Sequence, residues 1–215
     1  FIIYIDDTSP GDVNPFVVFG PRFFSQTQQL DPVLDAFVDI LQRICDQYEP
    51  ATANYILASA FNYISSTCIE PEIEAHAVVP GVIRFPWFIR GQTGISLAFA
   101  LMLFPKSKGV SAVQYIQVLD EMNFWISGVN DLMSFPKEQL AGERNNYVHV
   151  RARTEGKSPM EVLAELNQEL HMSRKLICAA LSLIPGASTV WSAFENGYIK
   201  WHLIQERYKL AEMDL

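Results

Sequence analysis

The sequence predicts an all-α protein with a large buried core. Apolar residues recur at helical spacing along most of the chain, and no segment alternates apolar and polar residues over the length of a strand. Two helix starts are clearly marked, because Asp31 before Pro32 and Ser158 before Pro159 each place a capping side chain ahead of a first-turn proline. With 215 residues, 49% of them hydrophobic, the chain is long enough to build a substantial core.

The predicted elements follow one another without a linker. Residues 1–7 are predicted to form the last turns of a first helix, which the Ser-Pro-Gly sequence at residues 9–11 ends, and residues 11–30 are predicted to be loop with some helix. The remaining predicted helices cover residues 32–44, 50–64, 85–104, 111–138, 159–184 and 188–213. Since the pattern contains no repeat and no low-complexity segment, residues 1–215 are predicted to form one domain.

Composition argues against several classes of function. No segment reaches 18 uncharged apolar residues, so no membrane span is predicted. The net charge of −8 disfavours nucleic acid as a partner, although bound metal ions could still bring an anionic substrate to an acidic protein. Three widely spaced cysteines without metal-ligand spacing are predicted to be reduced core thiols of a cytoplasmic protein: Cys45, Cys68 and Cys178.

The most informative motif is residues 130–138, Asn-Asp-Leu-Met-Ser-Phe-Pro-Lys-Glu. Each helical residue advances about 100° and 1.5 Å, so Asn130, Ser134 and Glu138 share one stripe, within an arc of roughly 80° and ~12 Å of helix axis. An amide oxygen, a hydroxyl and a carboxylate form a hard ligand set that suits Mg²⁺ together with phosphate oxygens and water. The alternative, a solvated polar face, is disfavoured because residues 114–129 before the motif are mostly apolar.

Pro136 lies inside this motif. A proline in a helix interior removes one backbone hydrogen bond and kinks the helix. Pro136 therefore either redirects the Glu138 carboxylate or ends the helix before it, and the sequence leaves both outcomes open.

Three segments resemble the trichodiene synthase family of fungal class I terpene cyclases. Residues 130–138 resemble the second metal-binding motif of that family, and residues 5–8, Ile-Asp-Asp-Thr, resemble its aspartate-rich motif. Residues 197–203, Gly-Tyr-Ile-Lys-Trp-His-Leu, followed by Arg207 and Tyr208, resemble its C-terminal active-site helix and Arg-Tyr pair. The segments occur in the family's order across essentially the whole chain. The resemblance implies the helical bundle of class I terpenoid synthases around a central active-site cavity, with further helices before residue 5.

The aspartate-rich segment is predicted to bind a cation. Acidic side chains are disfavoured at a helix C-terminus, so Asp6 and Asp7 call for a counter-charge, although a solvated helix end is the alternative. The resemblance implies that Asp6 is the main metal ligand. The family's further acid falls on Pro10 in this chain, and Asp12 is the nearest substitute.

Four side chains are predicted to contact a diphosphate. Arg90 is a lone cation in an apolar context, where a diphosphate could accept two of its hydrogen bonds; a structural ion pair is the alternative. The resemblance implies a diphosphate-sensing arginine in this region, which we assign to Arg90 rather than Arg84. It also implies diphosphate contacts for Lys137, Arg207 and Tyr208.

Two aromatic residues are predicted to act on the substrate. Tyr198 and Trp201 lie three residues apart on one face of the predicted last helix, about two turns before Arg207. Such aromatics usually pack in a core, but the resemblance implies that these two line the cavity, where their ring faces stabilise carbocations. His149, His171 and His202 lack ligand spacing and receive no chemical role.

The resemblance implies a sesquiterpene synthase, a carbon–oxygen lyase that ionises and cyclises farnesyl diphosphate with Mg²⁺ and releases diphosphate. Two alternatives stay open: a chain-elongating prenyltransferase, which carries two Asp-rich motifs, and a related helical protein that has lost activity. We expect a cytoplasmic protein whose partner is this small substrate and not nucleic acid, and a homodimer stays open.

Overall fold

The computed structural model describes residues 1–9 and 11–208, and every regular element in those ranges is helical. The all-α prediction is therefore confirmed. Twelve α-helices occur in the described ranges: α1 (Ile2–Thr8), α2 (Asn14–Val17), α3 (Phe19–Phe24), α4 (Pro32–Gln47), α5 (Pro50–Glu74), α6 (Phe85–Thr93), α7 (Ser96–Met102), α8 (Ala112–Tyr115), α9 (Leu119–Ala141), α10 (Tyr147–Glu155), α11 (Pro159–Leu181) and α12 (Ala187–Ile204). Short 3-10 turns lie at Lys106–Lys108, Ile116–Val118 and Glu206–Tyr208.

Both predicted helix starts are confirmed by their hydrogen bonds. Asp31 Oδ1 accepts from the backbone N–H groups of Val33 and Leu34, at 2.7 and 3.3 Å, at the start of α4. Ser158 and Glu161 cap each other reciprocally at the start of α11. These bonds satisfy N–H groups that have no partner within the helix, which stabilises each start by roughly 1 kcal/mol.

Helix α9 packs against α7 on one side and α11 on another. Gly128 allows the close approach to α11, because a Cβ there would lie 2.7 Å from Leu170 Cδ2. The fully buried Met122 and Ile126 of α9 belong to the same hydrophobic cluster as Leu166 of α11. Burial of each such side chain stabilises the fold by about 1.5–3 kcal/mol, so α9 is held firmly and can present its opposite face to a site.

The predicted helix at residues 85–104 is wrong, because the chain forms two helices there. Gly94 is extended, with φ −103° and ψ 133°, and this residue separates α6 from α7. Periodicity continued across the break because apolar residues lie on both sides of it. The predicted helix at residues 111–138 is likewise divided, since a 3-10 turn at Ile116–Val118 separates α8 from α9.

Pro136 does not end its helix. Helix α9 continues past it for more than a turn and closes at Gly142, which adopts the left-handed conformation with φ 77°. Of the two outcomes left open by the sequence, an end before Glu138 is therefore wrong. Glu138 is a helical residue on the same element as Asn130.

Helix α10 was not predicted, because its sequence is polar and yet the helix is buried. Arg151 is 9% exposed and forms hydrogen-bonded ion pairs with Glu155 at 2.8 Å, Glu169 at 2.7 Å and Glu165 at 3.3 Å. These partners come from α10 itself and from α11. Pairing of this kind makes burial of a charge tolerable, and it is invisible in a hydrophobic pattern.

The last helix is shorter than predicted. Helix α12 ends at Ile204, Gln205 is extended with ψ 119°, and a 3-10 turn follows. The prediction that one helix carries Tyr198, Trp201 and Arg207 is therefore wrong, because Arg207 lies beyond the end of α12. The rest of the predicted helix, residues 209–213, lies outside the described residues, as does Pro10.

The predicted core position is wrong for one of the three cysteines. All three are free thiols; Cys45 is exposed, whereas Cys68 and Cys178 are half-buried and pack against the core. Cys45 lies beside the buried Ile44 and falls on the solvent side of α4. Separately, none of the helices in the described ranges is both long and apolar enough to cross a membrane.

Candidate active site

A cavity of about 680 Å³ lies between α1, α4, α5, α9 and α12, beside the break between α6 and α7. Asp7 and Asp12 do not line this cavity, but all the other residues predicted for the site do: Asp6, Arg90, Asn130, Ser134, Lys137, Glu138, Tyr198, Trp201, Arg207 and Tyr208. The structure thus brings together residues from four segments far apart in the sequence. Their chemical roles stay predictions. Arg84, the alternative to Arg90, is exposed at the start of α6 and does not line the cavity.

The rest of the cavity wall is largely apolar. Helix α4 contributes Phe37, Ile40, Leu41 and Ile44, and α7 contributes Phe99 and Met102. The polar residues named above lie together on this wall and form one patch, in which hydrogen bonds link Arg90 to Asn130 and Asn130 to Tyr208. A cavity with a polar patch and an apolar remainder suits a ligand with a charged head and a hydrocarbon body.

Asp6 occupies the last turn of α1, where the Tyr63 hydroxyl from α5 donates a short hydrogen bond to Oδ1. Asp6 is accessible to solvent, but protein atoms surround its carboxylate. Burial raises the pKa of Asp6, and the hydrogen bond from Tyr63 and the nearby Arg207 oppose that rise. A divalent cation would oppose it further, since it favours the ionised carboxylate.

Asp7 pairs with an arginine that is 200 residues away in the sequence. Arg207 Nη1 donates to both carboxylate oxygens of Asp7, at 2.8 and 3.0 Å. The pair raises the pKa of Arg207 although partial burial acts in the opposite direction. It connects α1 with the C-terminal 3-10 turn and holds the guanidinium at the cavity. The sequence predicts a bound cation near Asp7, but it does not predict this pairing with Arg207.

The predicted stripe on α9 faces the cavity. Ser134 is 2% exposed, and its buried Oγ has no hydrogen-bond partner among the described residues. A buried hydroxyl without a partner costs about 1–3 kcal/mol, so a ligand that supplies one is favoured. Glu138 accepts a hydrogen bond from its neighbour Lys137 at 3.3 Å. Ser134 and Glu138 therefore present oxygen atoms that no hydrogen bond ties to another helix, whereas Asn130 Oδ1 accepts from Arg90 of α6.

Arg90 is held in an ion pair that sequence analysis considered only as the alternative. Its Nε donates to both oxygens of Asp131, at 2.8 and 3.0 Å, and its Nη2 donates to Asn130 Oδ1 at 3.2 Å. Burial alone would lower the pKa of Arg90, but Asp131 raises it. Arg90 also lines the cavity. The ion pair and a diphosphate contact are thus compatible, and the pair fixes where the guanidinium points.

Asp131 is the main site residue that sequence analysis missed. It lies on α9 next to Asn130, is 8% exposed, and does not line the cavity. A signal was available, because an acid within a mostly apolar helix and a lone arginine in another apolar segment each need a partner. Their separation of 41 residues hid the pairing.

Gly94 makes room for Arg90. A Cβ on Gly94 would meet the Arg90 guanidinium and lie 2.9 Å from the Arg90 carbonyl oxygen. We therefore expect Gly94→Ala to lower the free energy of unfolding by about 1–3 kcal/mol, the usual cost of overpacking. Urea denaturation followed by circular dichroism would measure it.

Gly91 supplies the control for this prediction. No heavy atom lies within 4 Å of a Cβ on Gly91, which is inside α6. Gly91→Ala should raise the free energy of unfolding by up to about 1 kcal/mol, because alanine is the better helix former. Equal stability of the two variants would contradict the close contact at Gly94.

The aromatic residues surround the polar patch. Tyr198 donates to the Ile126 carbonyl at 3.1 Å, and its ring stacks on Phe194 with centroids 5.3 Å apart. Trp201 meets Tyr208 edge to face at 5.5 Å. Tyr198 and Trp201 are both half-buried and both face the cavity. Tyr198 also packs against the core, and the action of both rings on a substrate stays a prediction.

The sequence predicts no role for His202, but this residue contacts Asn130 of the polar patch. It is 0% exposed, and its Nε2 lies 3.3 Å from Asn130 Nδ2. Burial lowers the pKa of His202. No sequence signal pointed to it, because a histidine beside an asparagine 72 positions away forms no motif.

The oxygen atoms of the patch fit a magnesium ion. The described residues contain no group of three or more His, Cys, Asp or Glu side chains that could hold a metal. The predicted set is of another kind, because Asn130 and Ser134 supply neutral oxygens and only Asp6 and Glu138 are carboxylates. Mg²⁺ needs few protein oxygens when phosphate and water complete its shell. The partnerless Ser134 hydroxyl agrees with such a ligand.

The helical bundle and its cavity define the class of protein as one with the class I terpene synthase fold. The crystal structure of linalool/nerolidol synthase from Streptomyces clavuligerus superposes with a TM-score of 0.70 at 18% identity, covering 94% of this chain and 78% of that one. Its complex with 2-fluorogeranyl diphosphate gives a TM-score of 0.72 at 20% identity, covering 96% and 78%. At this identity the likeness concerns the fold alone.

Within that class, the trichodiene synthase family model matches residues 1–214, and the chain belongs to this family. It is 32% identical to terpene synthase BipA of Cochliobolus sativus over 212 residues, which are 97% of this chain and 65% of that protein. It is 30% identical to alpha-cuprenene synthase COP6 of Coprinopsis cinerea over 213 residues, or 99% and 65%. The chain thus spans 65% of the length of these two relatives.

Proposed function

We propose that the protein is a sesquiterpene synthase, which ionises farnesyl diphosphate with Mg²⁺, cyclises the farnesyl cation and releases diphosphate. The observation that carries the proposal is the convergence of three sequence segments on one cavity wall: Asp6 of α1, the stripe of α9, and the Arg207-Tyr208 pair. Membership of the trichodiene synthase family supports it, as do the names of the two relatives, a terpene synthase and an alpha-cuprenene synthase.

Magnesium would be held by Asp6 from one side and by Asn130, Ser134 and Glu138 from the other. When bound there, it would neutralise the diphosphate oxygens and stabilise the negative charge of the leaving group. The protein's contribution is to keep these oxygens on one cavity wall, where Tyr63 donates to Asp6 and Arg90 donates to Asn130. The stripe on α9 does this, because the rest of the helix is anchored in the core.

The remaining diphosphate oxygens would meet preorganised donors. Arg90 is held by Asp131 and Arg207 by Asp7, so neither guanidinium needs to be ordered when the substrate binds. Burial raises the pKa of Tyr208 to about 12, so its hydroxyl keeps its proton and can donate at neutral pH. Lys137 lies beside Glu138 on the same wall.

The apolar part of the cavity would hold the farnesyl chain. Its 680 Å³ lies within the range of about 300–1,000 Å³ typical of small-molecule sites. Aromatic faces at Phe194, Tyr198 and Trp201 would stabilise the migrating positive charge, and the apolar wall would exclude water that could trap it.

The decisive experiment incubates the purified protein with farnesyl diphosphate and Mg²⁺, and measures released diphosphate and the volatile products by gas chromatography with mass spectrometry. We expect diphosphate and a cyclic sesquiterpene in equal amounts, and neither with excess chelator. Geranyl diphosphate, run in parallel, tests the chain length. Elongation in the presence of isopentenyl diphosphate would indicate a prenyltransferase instead. Absence of diphosphate release would indicate a protein that has lost activity.

Replacing Trp201 with Phe should change the product mixture but spare most diphosphate release. The substitution keeps a ring and removes part of the wall that faces the cation, whereas ionisation depends on the polar patch. Trp191→Phe is the matched control, since Trp191 is 0% exposed and does not line the cavity. It should lower the melting temperature and leave the product ratio unchanged. An unchanged product ratio in Trp201→Phe would assign Trp201 a packing role.

A further inference from the structure

The buried His202 lies directly behind Asn130, on the side away from the cavity. Its Nδ1 is 2.8 Å from the backbone oxygen of Tyr198, and its Nε2 is 3.3 Å from Asn130 Nδ2. The rings of Tyr198, Trp201 and Tyr208 surround the imidazole, with centroid distances of 4.5, 4.8 and 4.6 Å. This packing allows the ring little movement, so both nitrogen atoms keep their partners.

The hydrogen bonds of this cluster have only one consistent direction. The Tyr198 carbonyl can only accept, so His202 Nδ1 carries a hydrogen. The Arg90 guanidinium can only donate, so the Asn130 atom 3.2 Å from its Nη2 is the oxygen Oδ1. The amide nitrogen of Asn130 therefore faces His202 and donates to Nε2, which must be unprotonated. A continuous chain results, from Arg90 through the Asn130 amide and the His202 ring to the backbone.

Asn130 needs such a partner more than the other residues of the stripe do. The two ends of an amide have nearly the same shape, and only the oxygen can bind a metal. The two oxygens of Glu138 are equivalent, and the Ser134 hydroxyl always presents an oxygen. Asn130 alone can present the wrong atom. The Tyr208 hydroxyl, 3.5 Å from Asn130 Nδ2, can donate or accept and so cannot select the orientation.

We infer that His202 is a positioning residue, which accepts the Asn130 amide hydrogen and thereby keeps the amide oxygen directed toward Arg90 and the cavity. The inference rests on the proposed function of the stripe as a metal site. Without an acceptor at this position, only Arg90 would oppose a turn of the amide that directs its nitrogen at the metal. Groups behind a ligand that fix its orientation typically contribute 10- to 100-fold to metal affinity.

The first test observes the ring directly. Two-bond proton–nitrogen correlation spectra of the imidazoles report which nitrogen carries the hydrogen, and the His202 signals are assigned by their absence in His202→Gln. We expect the neutral tautomer with hydrogen on Nδ1. A hydrogen on Nε2, in either the other tautomer or the charged ring, would overturn the inference because Nε2 could not accept from Asn130.

The second test measures metal binding without turnover. Mn²⁺ is titrated into the protein with inorganic diphosphate and followed by electron paramagnetic resonance. His202→Phe keeps the ring but has no acceptor, so we expect an affinity about 10- to 100-fold weaker. His202→Gln restores an acceptor oxygen at the distance of Nε2 and should stay within a few-fold of the wild type. Rescue by glutamine is not expected of a residue that only fills space.

His149 provides the matched control. It is also buried, stacks on Phe135 with centroids 5.4 Å apart, and contacts the capping side chain of Asn146, but it does not line the cavity. His149→Phe should lower stability and leave Mn²⁺ affinity unchanged.

The outcomes separate the inference from the proposed function. If the wild type binds no Mn²⁺ with diphosphate, the proposed metal site fails, whatever the tautomer of His202. If the wild type binds and His202→Phe binds equally well, the metal site stands and the role of His202 is refuted. If His202→Phe does not fold, the tautomer and the affinity of His202→Gln decide.

Discussion

Replacing Glu138 with Gln should lower the turnover of farnesyl diphosphate by roughly 10²- to 10³-fold, the usual effect of removing one electrostatic stabiliser of a transition state. Glutamine keeps the size of the side chain and removes the anion that would bind Mg²⁺. The melting temperature should change little, because the hydrogen-bond partner of Glu138 is its neighbour Lys137 and not a distant helix. Single-turnover kinetics over a range of Mg²⁺ concentrations would measure the loss.

Glu121→Gln is the control for this substitution. Glu121 lies on the same helix, accepts a hydrogen bond from Ser173 and does not line the cavity. It should retain turnover and the wild-type requirement for Mg²⁺. Full activity of Glu138→Gln, or of the wild type in excess chelator, would refute the metal assignment.

Replacing Arg90 with Met should destabilise the protein by about 3 kcal/mol, because it leaves the Asp131 carboxylate buried without its partner. The side chains of Arg90 and Asp131 are only 15% and 10% exposed. The double variant Arg90→Met with Asp131→Leu should recover most of the stability, since both charges are then absent. It should not recover turnover, because the diphosphate still lacks its arginine. Urea denaturation and diphosphate release measure the two effects separately.

Arg207→Met gives the contrasting case. The Arg207–Asp7 pair has similar geometry but side chains 36% and 54% exposed. An exposed pair contributes about 0–1 kcal/mol, so stability should change little while turnover falls. If Arg90→Met is no more destabilising than Arg207→Met, the Arg90–Asp131 pair is not a structural anchor.

The sequence alone predicted those features that depend on short-range geometry. The caps at Asp31 and Ser158 follow from side chains that satisfy backbone groups two or three residues away. The stripe of Asn130, Ser134 and Glu138 follows from the helical repeat. The prediction of a cation at Asp6 and Asp7 follows from the polarity of a helix end. The three resemblances added the order of the motifs, and through it the fold and the cavity.

What a segment packs against could not be predicted in the same way. Helix α10 is polar in sequence and buried in the structure, because the partners of Arg151 lie partly on α11. At the break between α6 and α7, Gly94 has an extended backbone conformation and lies against Arg90. A pattern of apolar residues does not show such a break. The burial of α10 depends on contacts between residues that are neighbours only in space, and the break at Gly94 depends on a backbone conformation.

The sequence by itself thus determined the fold class and the oxygen stripe, because helix periodicity and capping act within a few residues. The tertiary structure decided which charges meet. Arg90 and not Arg84 lines the cavity, and Asp131 and Asp7 each pair with an arginine. His202 fixes the orientation of the Asn130 amide. The physical reason is that a buried charge or amide takes its partner from whatever helix packs beside it. Burial makes such a partner obligatory, and only the packing of the helices decides which residue it is.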